Sequence, residues 1–123
     1  MAQYRLSTAA QADLVDILAW SQQRFGVPAR MRYQALIATA LRDLAAQPCR
    51  AGSMERPELG DGVRSWHLRL SRDRARTATG IVRHPRHFLI YRMHGEQLVI
   101  GRVLHDAMEL ERHLPSDSPW DED

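Results

Sequence analysis

The sequence predicts an α+β fold: a small, mainly antiparallel sheet packed by an N-terminal helix hairpin, in the order β-α-α-β-β-β-α. Three observations predict it. Apolar residues recur at helical spacing through 9–47, interrupted only by Gly26-Val27-Pro28. From residue 63 the spacing changes to the alternation of a strand. The stretch 87–105 then reads as two apolar strands around His94-Gly95-Glu96, where Gly95 is free to take positive φ.

Taken in order, 3–6 is a short strand flanked by polar residues and belongs at a sheet edge. Thr8 is the expected N-cap of a helix over 9–24, with Gln11 completing a capping box. Leu14, Ile17, Leu18 and Phe25 share its apolar face, and Gly26 ends it. Pro28 opens a second helix over 28–47, and Pro48 stops it. Its stripe of Tyr33, Leu36, Ile37, Ala40, Leu41 and Leu44 reads as core, with a partner's helix as the other use of such a face. So short a link between the helices dictates an antiparallel pair. An irregular connection follows over 48–62, then a strand over 63–70. A long Arg-rich loop spans 71–85, within which Ile81 and Val82 could add a short strand segment. The strand over 87–93 is apolar on both faces: His87, Leu89, Tyr91 and Met93 on one, Phe88 and Ile90 on the other. It therefore belongs in the middle of the sheet. Its second face is covered either by a terminal helix over 107–114 or by a segment of a partner. Residues 1–114 read as a single domain and 115–123, PSDSPWDED, as a disordered acidic tail.

With 123 residues the chain can bury a modest core without staples. A lone Cys49 offers no internal disulfide, the N-terminus lacks the pattern of a signal peptide, and no apolar run approaches a membrane span. The expectation is a cytoplasmic protein with no membrane contact. The net charge of +2 conceals an asymmetry: residues 63–105 carry nine Arg against Asp73 and Glu96, while 106–123 carry seven acids against Arg112. A basic middle of this kind suits nucleic acid or an acidic protein segment.

The residues that could carry chemistry are Arg64, Arg69, Arg83, Arg92, Arg102 and His105. Cutting RNA would need His105 as acid or base, with Arg64, Arg92 and Arg102 stabilising charge, since guanidinium cannot serve as a base. The same six residues serve equally as a binding surface for a partner or target. Neither a metal nor a cofactor is implied: His84 and His87 flank Pro85, and the remaining histidines lack ligand spacing. Ser7, Asp61 and His67 are scattered, without a nucleophile elbow. Trp20 and Trp66 read as core or rim aromatics, and direct DNA reading is weakly supported because the arginines are spread over strands.

RHFLIYR followed by a hairpin and LVIGRVLHDAMELERHL, with LGDGVRSWHLRLSR (59–72) and YRLSTAAQADLVDILAW (4–20) upstream, resembles ParE-type toxins of the ParE/RelE superfamily. The resemblance covers most of the chain except the tail and part of 73–85. It implies the toxin half of a bacterial type II toxin–antitoxin pair, with a ParD-like antitoxin as partner. The RelE branch cuts messenger RNA and often carries a tyrosine or histidine near the C-terminus. Here His105 is followed by Asp106-Ala107-Met108 and no tyrosine, an ending similar to the ParE branch, which lacks the ribonuclease residues. That branch acts by binding DNA gyrase and trapping its cleaved-DNA intermediate. The expected function is thus a non-enzymatic gyrase inhibitor. A RelE-type endonuclease and a non-toxic antitoxin-binding protein are the alternatives.

Overall fold

A computed structural model describes residues 3–107. Its elements are β1 (Gln3–Leu6), α1 (Thr8–Phe25), α2 (Val27–Ala46), β2 (Met54–Glu55), β3 (Arg64–His67), β4 (His87–His94) and β5 (Gln97–His105). Short 3₁₀ turns follow at Pro57–Leu59 and Leu68–Arg74. The five strands lie in the order β1-β5-β4-β3-β2, so β4 is central, as its two apolar faces require. β1 runs parallel to β5 at one edge, and the other pairings are antiparallel. The terminal helix and acidic tail expected over 107–123 lie, apart from Ala107, outside the described residues.

Gly26 alone separates the helices. Its N–H closes α1 on Gln22 O at 2.9 Å, and its φ of 93° redirects the chain so that α2 begins at the next residue. Both helices pack on one face of the sheet. Leu36, Leu44, Trp66, Leu89, Tyr91, Leu98 and Ile100 form the core there, each adding about 1.5–3 kcal/mol by burial. On the other face a smaller cluster joins Val63, Phe88, Ile90 and Leu104, with Leu59 packed against it.

Several local expectations change. The N-cap of α1 is Ser7 rather than Thr8. Ser7 Oγ accepts from Ala10 N at 3.0 Å and donates to Gly101 O at 2.7 Å, a tertiary bond that settles the choice. Gln11 still reaches back, but its Nε2 donates to Leu6 O at 3.1 Å. The strand expected over 63–70 stops at His67 and coils into a 3₁₀ turn. Asp43 of α2 explains the change: its carboxylate accepts from Ser71 Oγ at 2.7 Å and from Arg74, while Ser71 accepts from Trp66 Nε1 at 3.0 Å. Those bonds draw the chain onto α2. Ile81 and Val82 form no strand, and the bridge in that loop joins Thr77 and Gly80.

One irregularity positions the site. The β4–β5 register shifts between Ile90 and Tyr91, so Ile90 faces Arg102, Tyr91 faces Ile100, and Gly101 is the extra residue. Beyond this bulge Val103 joins the helix-side core and Leu104 the opposite cluster. His105 is brought opposite His87.

Candidate functional site

A cavity of about 560 Å³ opens between the helix hairpin, the 79–86 loop and the ends of β4 and β5. α1 contributes Ile17, Trp20, Ser21 and Phe25; α2 contributes Ala29, Arg32 and Tyr33. The loop adds Thr79, Ile81, Val82, Arg83, His84 and Arg86, and the strands add His87 and His105. The loop wall is tethered at several points: Arg32 donates to Thr79 Oγ1 at 2.8 Å, Arg72 to Arg83 O at 2.9 Å, and Asp106 N to Arg86 O at 2.8 Å. At the mouth, Trp20 and Phe25 are 52% and 64% exposed and meet edge-on at 5.6 Å, with Arg24 stacked over the Trp20 ring. The apolar face expected for α1 therefore holds Leu14, Ile17 and Leu18 against the core but releases Phe25 to the rim.

A polar cluster lies at the back of this cavity. Tyr33 Oη accepts from Arg86 N at 3.3 Å and stands 2.6 Å from His87 Nδ1. Because the Arg86 amide must donate, the Tyr33 proton is free to point at Nδ1. Burial pushes the Tyr33 hydroxyl up to about 12, even though the Arg86 amide favours its ionised form. Burial also holds His87 down to about 4, with the neighbouring His105 acting in the same sense. Both groups are thus neutral around pH 7, and the bond runs from tyrosine to imidazole. The His87 and His105 rings meet edge-on at 5.3 Å. His105 Nδ1 accepts from Ala107 N at 3.1 Å, so its neutral ring carries the proton on Nε2. His67 repeats the arrangement: Nδ1 accepts from Arg69 N and Nε2 donates to Asp106 Oδ2, both at 3.1 Å. Burial opposes ionisation of Asp106, but the bonds from His67 and Arg86 outweigh it and hold the carboxyl below its usual range.

The six residues singled out in the sequence do not meet in one place. Arg102 forms a bidentate pair with Asp13 of α1, at 2.8 and 3.0 Å, and Asp13 also accepts from Val103 N at 2.9 Å. Arg64 donates to Ser53 Oγ at 2.7 Å and lies 3.6 Å from Glu55, at the β2 edge. Ser53 in turn bonds Tyr91, whose hydroxyl donates to Pro48 O at 2.6 Å; Tyr91 is a core residue. Arg92 sits half-buried near the turn end of β4, about 17 Å along the strand from His87. Arg69 is exposed on the 3₁₀ turn, and only Arg83 and His105 line the cavity. Sequence reasoning missed Tyr33, which reads as core, and His87 and Arg86, which carry no spacing signal. Trp66 is core and Trp20 rim. Among the described residues no group of three or more His, Cys, Asp or Glu could hold a metal ion. None of the described helices is long and apolar enough to cross a membrane.

An α+β fold of two helices on a five-stranded mixed sheet, with an aromatic cavity lined by Arg32, Arg83 and Arg86, has the RelE/ParE architecture. The family model for the ParE toxin of type II toxin–antitoxin systems matches residues 4–110. Toxin ParE1 of Caulobacter vibrioides is 32% identical over 114 residues, spanning 93% of this chain and 99% of that protein. The chain belongs to the ParE toxin family, and a toxin of this kind implies an antitoxin partner.

Proposed function

We propose that this protein arrests growth by binding DNA gyrase and holding its cleaved-DNA intermediate, without catalysing a reaction itself, and that a ParD-like antitoxin neutralises it in the cytoplasm. Membership of the family is the background. One observation carries the non-enzymatic reading: the cations that an RNA-cutting centre would gather around His105 are engaged elsewhere. Arg102 is held by Asp13, Arg64 by Ser53 and Glu55, and Arg92 lies toward the other end of β4. Phosphorane stabilisation requires donors about 3 Å from the reacting oxygens, and these three guanidiniums share no such point with His105. For the antitoxin, an acidic amphipathic segment has a chemically matched seat in the aromatic cavity with Arg32 and Arg83.

One feature favours a second reading, a RelE-type endonuclease. His87 and His105 form an adjacent pair opening on a cavity with three arginines, a possible acid–base couple. The test is a gyrase supercoiling and cleavage assay with the purified protein, run beside a ribosome-dependent messenger cleavage assay. Accumulated cleaved DNA with intact RNA is expected. Cut RNA with gyrase unaffected overturns the proposal and makes His105 and His87 the catalytic candidates. Inactivity in both points to a non-toxic antitoxin-binding protein.

A further inference from the structure

We propose that the acidic stretch 108–123 of this same chain occupies the aromatic cavity, with Trp120 as its apolar anchor. Three observations point there. No carboxylate is among the described residues that line this cavity, whereas Arg32 and Arg83 line it together with Arg86, the last already paired with Asp106 at 3.0 Å. The stretch 108–123 carries six acids against Arg112, and three of them, Asp121, Glu122 and Asp123, directly follow Trp120. Exposed Trp20 and Phe25 at the mouth offer an apolar surface for a single large aromatic side chain.

The point of attachment is favourable. The described chain leads out through Ala107, whose N–H is bonded to Nδ1 of the wall residue His105. Trp120 lies 13 residues further on, which spans about 20 Å as helix and up to about 45 Å extended. Either suffices to reach a cavity beginning two residues back. Tethering at that distance gives an effective concentration on the order of millimolar, so a weak contact is enough for occupancy. The family match ends at residue 110, so the family pattern assigns nothing to the segment that follows.

The stretch then acts as a built-in competitor for whatever acidic segment enters the cavity. That competition rests on the antitoxin reading above; the docking itself does not.

The experiment uses the full chain, isotopically labelled, with exposed Cys49 replaced (Cys49→Ser) and a nitroxide placed through Ser118→Cys. Paramagnetic broadening is read at the Trp20 indole N–H and at the Thr79 and Val82 amides. The expected result is a more than twofold loss of intensity at these sites. It should be relieved by Trp120→Ala, by joint neutralisation with Asp121→Asn, Glu122→Gln and Asp123→Asn, and by about 0.5 M salt, which screens exposed charges beyond about 4 Å. Arg32→Glu with Arg83→Glu should relieve it from the other side, its fold confirmed by amide dispersion. The tail substitutions alter no described residue, so they remain informative even if the rim variant misfolds. Broadening that is weak throughout, or unchanged by the tail variants and by salt, as for a tethered but unbound stretch, overturns the proposal. This outcome is independent of whether gyrase or RNA is the target.

Discussion

Replacing Asp13 by Ala tests whether Arg102 serves the fold or a partner. The Asp13 and Arg102 side chains are 16% and 20% exposed. The substitution removes both arms of the bidentate pair and the bond from Val103 N. Breaking one side of a buried pair costs about 3–5 kcal/mol, because a charge is left without its partner. Water reaches about a fifth of this pair, so the lower end, about 3 kcal/mol, is expected. At this chain length that corresponds to a fall in Tm of about 12 °C. Asp13→Asn retains an acceptor for Val103 N and should lose roughly half as much. Urea unfolding of Asp13→Ala, Arg102→Ala and the double variant gives the coupling directly, expected at about 2 kcal/mol. A coupling near zero, or an Arg102→Ala chain of unchanged stability that has lost toxicity, would refute the structural role and make Arg102 a contact residue.

Other consequences are equally specific. His87 is held to about 4 in the folded chain against 6.5 in the unfolded one, so the unfolded state binds the extra proton between those values. Its stabilisation, up to about 3 kcal/mol, is complete above pH 6.5 and lost as pH falls toward 4. Urea midpoints followed over that range should fall in the native chain and fall less in His87→Gln; parallel slopes would exclude His87 as the source. Ser7→Ala orphans Ala10 N and Gly101 O in a fully buried position and should cost about 2–3 kcal/mol in chemical denaturation, whereas Thr8→Ala should cost well under 1 kcal/mol. Gly52 holds φ at 100°, and an added Cβ would lie 2.9 Å from Leu70 Cδ1 and 3.2 Å from Trp66 Cζ3. Gly52→Ala is therefore expected to lower Tm by roughly 4–8 °C, for a cost of about 1–2 kcal/mol, in calorimetry.

Much of the fold was legible because it depends on local rules. Apolar spacing placed both helices, Gly26 separated them, and the double-faced apolarity of 87–93 put that strand at the centre of the sheet. The resemblance carried by RHFLIYR and the segments flanking it pointed to the family that the comparisons show. Beyond these, distant partners decide. Ser7 became the cap because Gly101, 94 residues away, accepts its hydroxyl proton. The strand after Arg64 ended early because Asp43 captures Ser71 and Arg74. Arg102 looked available for chemistry until α1 brought Asp13 to it. The site itself depended on a single extra residue: a regular hairpin turning at Gly95 would set His87 against Leu104, and only the bulge at Gly101 brings His105 opposite it. Side-chain period along a strand is a local property, but register and charge pairing depend on which groups meet across the fold. Residue types therefore marked the helices, the central strand and the basic middle, whereas tertiary packing alone chose which arginines brace the fold and which residues face the cavity.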